Sequence, residues 1–185
     1  MLVKDVIGEC LVKMGKPNFL SDDGATPEPE EQALADRLLA AFNIAYRRAA
    51  TDYIPFYAEE SVEVTDGVIP ASALGHAIIY PVSLRANGVN HAVTVCPSGL
   101  ATELRGKGTL RYAYLPPSME LDDEVTDMRL TPAVLSDGAL GEYYAADKVF
   151  ALAEAYGESF RDALRELRYK GRALRLGGRR KEWKE

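Results

Sequence analysis

The sequence predicts an α+β protein, mainly helical: a helical bundle with an inserted small antiparallel β unit and a basic C-terminal arm. Three observations predict it. Apolar residues recur at helical spacing before about residue 57 and after about residue 118. Between Val62 and Leu115 the period drops to two, with turn residues every ~8 to 12 positions. At Leu110–Val125 the alternation stops at Pro116-Pro117, crosses an acidic turn and gives way to another helical pattern. The division expected is a discontinuous helical domain, 1–57 and 118–168, a β subdomain, 58–117, and an extended basic arm, 169–185.

The first helix is expected over Leu2–Met14. Val3, Val6, Ile7, Cys10, Leu11 and Met14 share one face, and Gly15 and Pro17 end it. Residues 16–28 are polar and read as a loop. The second helix starts near Thr26–Glu30, with Thr26 as candidate cap and prolines in the first turn. Leu34, Leu38, Ala41, Phe42, Ala45 and Ala49 form its buried stripe. Arg47 and Arg48 sit where the helix dipole favours cations, and Pro55 stops the pattern.

Val62 and Val64 then alternate with polar residues up to Asp66-Gly67, a dipeptide suited to a tight hairpin turn because both of its residues tolerate positive φ. Further strands are expected over Ala77–Leu84, His91–Cys96, Ala101–Leu104 and Thr109–Leu115. Asn87-Gly88, Pro97-Ser98-Gly99 and Gly106-Lys107-Gly108 lie between them. Pro70 and Pro81 mark edges or strand ends, since proline cannot donate to a ladder.

Glu120–Glu124 reads as a loop. Thr131-Pro132 opens the third helix, with a capping hydroxyl before proline at the first helical position. A break falls near Asp147. From Val149 a last helix carries Val149, Leu152, Ala153, Tyr156, Phe160, Ala163, Leu164 and Leu167 on its apolar face. Gly157 within it costs about 1 kcal/mol relative to Ala, which points to close packing or a kink. Beyond Arg168 the apolar face dissolves into glycines and basic residues.

At 185 residues and 47% hydrophobic, the chain can bury one ordinary core. No apolar run approaches the ~18 to 20 residues of a membrane span, and the N-terminus has no signal-peptide pattern. Cys10 and Cys96 lack metal spacing and read as buried free thiols suited to a reducing cytoplasm. Charge is segregated. Residues 165–185 hold nine Lys or Arg against three acids, a net +6, leaving −12 on the other 164 residues of a −6 chain. Such asymmetry concerns partners rather than fold.

The chemistry of an enzyme is not legible. His76 and His91 stand outside any metal-ligand spacing, so no metal and no cofactor is expected. Gly106-Lys107-Gly108 lacks the rest of a phosphate loop and reads as a turn. Asp122-Asp123-Glu124 reads as a solvated loop before a cation site. Tyr53, Tyr57, Tyr112, Tyr114, Tyr143 and Tyr144 fit packing at helix–β junctions, or a subunit interface where Tyr is enriched. The basic tail has three readings: solvated end, docking on an acidic subunit, or phosphate contact with DNA. Trp183 favours docking, because an aromatic can fill a pocket.

The order of helices, the Asp66-Gly67 hairpin, the β unit, Tyr112-Ala-Tyr-Leu-Pro-Pro, the acidic segment, Glu142-Tyr-Tyr and Phe160-Arg-Asp-Ala-Leu resembles bacteriophage head-to-tail connector adaptors. The likeness is to tail tubular A-like and head-completion (neck) proteins and covers about residues 1 to 170. Tyr112–Pro117 is its most specific piece, and residues 16–28 depart from the pattern in being longer and more acidic. The resemblance implies a non-enzymatic virion protein, assembled in the host cytoplasm as a ring of about twelve copies. Its partners would be the portal, neighbouring copies and the next tail or stopper protein, with DNA passing through and no membrane contact. A stopper or tail-completion role in the same neck is the alternative; a nucleic-acid-binding or small-molecule-binding protein is the more distant one. Candidate partner-binding residues are Arg172, Leu174, Arg175, Leu176, Arg179, Arg180, Lys181 and Trp183.

Overall fold

Apolar spacing on one face makes α1, Val3–Lys13, which buries Val3, Val6, Ile7, Cys10 and Leu11. A computed structural model describes residues 1–21 and 27–176, with side chains described through residue 169. Two compact units result: Met1–Ala49 with Ser118–Glu185, and Ala50–Pro117.

In the first unit, α2 spans Pro29–Arg48. Thr26 lies outside the described residues; the Glu31 carboxylate accepts the Glu28 N–H at 2.9 Å, and Pro29 opens the helix. The buried face of α2 includes Ala35, Leu38, Ala41, Phe42, Ala45 and Tyr46, while Leu34 is only half-buried. The acidic loop after the β unit has a backbone role. The Asp123 and Leu121 carbonyls accept the Val3 and Lys4 N–H groups, which the first turn of a helix leaves unpaired. Asn43 pins the same loop by exchanging two hydrogen bonds with the Met119 backbone. Helix α3, Pro132–Ala146, starts at Thr131, whose hydroxyl accepts the Val134 N–H. It is apolar nearly all round because it packs against α1, α2 and α4. Helix α4, Phe150–Leu176, packs on α3. Between them Asp147 caps α3 and Lys148 turns the chain at φ 60.

The second unit contains two antiparallel sheets. One has the order β1 (Phe56–Val64), β7 (Gly106–Leu115), β3 (Ala77–Ala86), β4 (Val89–His91); the other has β2 (Val68–Pro70), β6 (Gly99–Thr102), β5 (Val93–Cys96). Val62, Val64, Ile69, Leu84, Leu100, Leu110 and Tyr112 form the core of this unit. Asp66 and Gly67 adopt φ 55 and 76, Asn87 and Gly88 φ 50 and 79, as tight hairpin turns require. At Gly99, φ is 141 and a Cβ would stand 2.2 Å from the Ile69 carbonyl oxygen, so no side chain fits. Pro81 lies where β3 pairs with β7 alone and the register shifts.

Two expectations need correction. The fold is a mixed α+β structure and not a mainly helical bundle with a small insertion: the described residues hold four helices and seven strands. The strand content is larger because β1 and β7 run nine and ten residues and pair from Phe56↔Tyr114 to Val64↔Gly106. Only the cross-strand partner reveals that Phe56 and Tyr57 belong to a strand. The extended arm from residue 169 is also shorter than expected, since α4 continues to Leu176. One glycine, Gly171, costs about 1 kcal/mol, and Ala173, Leu174, Arg175 and Leu176 are favourable helix formers on its far side.

Candidate functional site

Small residues set the α3–α4 contact. A Cβ on Gly138 would lie 2.8 Å from the Phe160 ring, and one on Gly141 would lie 3.1 Å from the Gly157 nitrogen. The helices therefore approach closely at these points. Towards the N-terminal end of α4 a groove of about 480 Å³ opens between them. Gly141, Gly157, Ala145 and Ala153 line it with little side-chain volume, and Phe150, Glu154 and Arg161 line it too. Arg48 and Glu142, which also line the groove, form an ion pair.

Exposed apolar surface surrounds this groove. Phe150 is 71% exposed, and Tyr169, four turns beyond Gly157, is 69% exposed. Val149 and Leu152, expected on the buried face, are also exposed; of the expected stripe only Phe160 and Leu164 are fully buried. Periodicity identified the face but not the length that α3 covers. The functional residue missed from sequence is Phe150. Its signal is an aromatic out of phase with the 149, 152, 153, 156, 160 spacing.

The candidate partner-binding residues fall in two groups. Arg172, Leu174, Arg175 and Leu176 belong to α4, with side chains outside the description; Arg179, Arg180, Lys181 and Trp183 lie outside the described residues altogether. The six tyrosines do not gather in one place. Tyr112 is fully buried in the β unit, while in the helical unit Tyr143 meets Tyr144 edge-on and Tyr144 stacks on Tyr156.

Two polar clusters resemble reactive sites and have structural chemistry instead. Lys13 Nζ donates to Ser136 Oγ and Asp137 Oδ1, both at 2.7 Å, and pairs with Glu9. Burial opposes its charge, but Asp137 and Glu9 outweigh that and hold the ammonium above its ordinary pKa, so it cannot take a proton from Ser136. Ser136 is also fully buried. In the β unit, Tyr112 donates to Glu60 Oε1 at 2.5 Å, and Glu60 Oε2 accepts the Gly75 N–H at 3.1 Å. The Tyr112 bond is the main reason the Glu60 carboxyl is lowered; burial and the same bond push the phenol up to about 12. His76, beyond Gly75, stacks on Tyr114 with ring centroids 4.3 Å apart. The cluster fastens the 71–76 turn to β1 and β7.

Among the described residues, no group of three or more His, Cys, Asp or Glu is placed to hold a metal ion. No described helix is long and apolar enough to cross a membrane. Comparison with known proteins finds no family model and no curated protein that matches the chain.

Proposed function

We propose that this chain is a structural subunit of a bacteriophage neck, a head-to-tail adaptor that forms a ring joining the portal to the tail and lets DNA pass. The observation that carries this reading is the surface of α4. A helix of 27 residues, about 40 Å long, packs on α3 yet leaves Phe150 and Tyr169 mostly exposed beside a groove with an apolar floor. Exposed aromatics along one long helix suit a subunit that is completed by neighbours, where aromatic residues concentrate. The segregated charge supports it further, because a basic C-terminal segment on an acidic body provides two unlike surfaces, as head-to-tail rings require.

The test is negative-stain imaging of the full chain, alone and mixed with the portal protein of the same genome. The expected result is a ring stacked on the portal. A tight dimer unaffected by portal overturns the reading. Truncation after Leu176 removes Arg179, Arg180, Lys181 and Trp183, and should weaken portal binding and leave filled heads without tails. Unchanged portal binding would remove this segment from the docking surface.

A further inference from the structure

We infer that the C-terminal half of α4 in one copy docks, head to tail, on the groove between α3 and α4 of a second copy. The contact would place Tyr169 in the groove beside Phe150, with Arg165 and Arg168 against Glu154 and Glu158. It deepens the ring reading, on which only its closure into a ring rests.

The first observation is a division of charge along a single helix. Residues 150–164 carry Glu154, Glu158 and Asp162 against Arg161; residues 165–176 carry four arginines and a lysine against Glu166. Glu154, Glu158, Arg165 and Arg168 are all exposed. The halves cannot neutralise each other within one copy. Glu154 and Arg168 are fourteen residues apart, about 21 Å along a rigid helix, and Arg165 turns to Asp162 at 2.9 Å instead. Complementary charge on the two ends of one rod is satisfied by a second rod displaced along it. At 100° per residue, positions 154, 158, 165 and 168 lie within about a quarter-turn of one another, so a single face carries both signs.

The second observation is apolar. The groove holds about 480 Å³, has a floor of glycine and alanine, and opens beside the exposed Phe150. Tyr169 is the large exposed aromatic among the arginines. A Tyr ring covers apolar surface while its hydroxyl remains at a polar edge, here formed by Glu154 and Arg161. Groove and ring occupy different parts of α4, so the contact uses unlike surfaces on the two copies. Such a contact repeats from copy to copy and does not stop at a pair.

A photo-crosslinking phenylalanine derivative at position 169 of the full chain tests this while keeping an aromatic ring in place. Irradiation should give a ladder of dimers, trimers and larger products, with crosslinks mapping to Ala145, Phe150 or Ala153. Glu154→Arg with Glu158→Arg, or Arg165→Glu with Arg168→Glu, should cut the yield about tenfold or more at low salt. An equimolar mixture of the two reversed proteins should restore it. Unchanged melting temperatures would show that the exposed substitutions leave the fold intact. Products that stop at dimers, crosslinks outside the groove, or preferential reaction with added duplex DNA would each overturn the contact. Portal binding is measured on the same proteins: a ladder without portal binding defeats the adaptor reading alone, and portal binding without a ladder defeats this contact alone.

Discussion

A Cβ built on Gly141 of α3 would stand 3.1 Å from the backbone nitrogen of Gly157 on α4, whereas one built on Gly157 would meet nothing closer than Arg161 Nη1 at 3.7 Å. The two glycines face one contact, yet only one of them is required by it. Gly141→Ala should destabilise the helical unit by about 1–2 kcal/mol, because main chain must move and the gain in helix propensity only partly offsets this. Gly157→Ala should stabilise it by up to about 1 kcal/mol. Thermal melting of the two variants should move in opposite directions.

The β unit has a graded series of turn glycines. Gly88 has φ 79 with nothing near its absent Cβ; Gly67 has φ 76 with the Thr102 oxygen at 3.0 Å; Gly99 has φ 141 with the Ile69 oxygen at 2.2 Å. Alanine at Gly88 should cost about 1 kcal/mol from backbone strain alone. At Gly67 it should cost more, and at Gly99 about 3 kcal/mol or more, since a carbonyl must be displaced. Urea midpoints should fall in that order.

Acid should expose the Glu60–Tyr112 link. The Glu60 carboxyl is held below its usual range, chiefly by the Tyr112 hydroxyl. A carboxyl lowered by folding contributes stability above its unfolded pKa of about 4.3, and that contribution is lost as pH falls through the lower folded value. Tyr112→Phe should cost about 1 kcal/mol at pH 7. The gap from the parent protein should narrow below about pH 4, as urea unfolding across pH 3–7 will show.

The two thiols should differ in reactivity. Cys10 is fully buried, and burial, against Lys13, pushes its thiol up to about 12. Cys96 is only partly buried, and its pKa is lowered by the Ser98 hydroxyl and by nearby backbone. At pH 8, iodoacetamide should modify Cys96 first, with Cys10 reacting only on unfolding. Intact-mass spectra over time will separate one adduct from two.

Elements built from near neighbours were legible in the sequence. Asp66-Gly67 and Asn87-Gly88 turn because positive φ suits those residues, and Thr131-Pro132 begins α3 because hydroxyl and ring both match a helix start. The face of α1 followed from its spacing. At the candidate site, the glycine Gly157 and the odd phase of Phe150 were visible, but their meaning was not.

Tertiary structure alone decided what each face meets. β1 pairs with β7 some fifty residues later, so Phe56 and Tyr57 become strand residues only when Tyr114 and Ala113 lie opposite. Glu60 finds Tyr112 through that same register. Gly138 and Gly141 matter because α4 lies against them, and Val149 and Leu152 are exposed because they are not buried against α3. The physical reason is one of range. Turn and cap preferences are set by the sterics of a few adjacent residues, whereas pairing and burial depend on which distant segments repay the entropy of closing the chain between them.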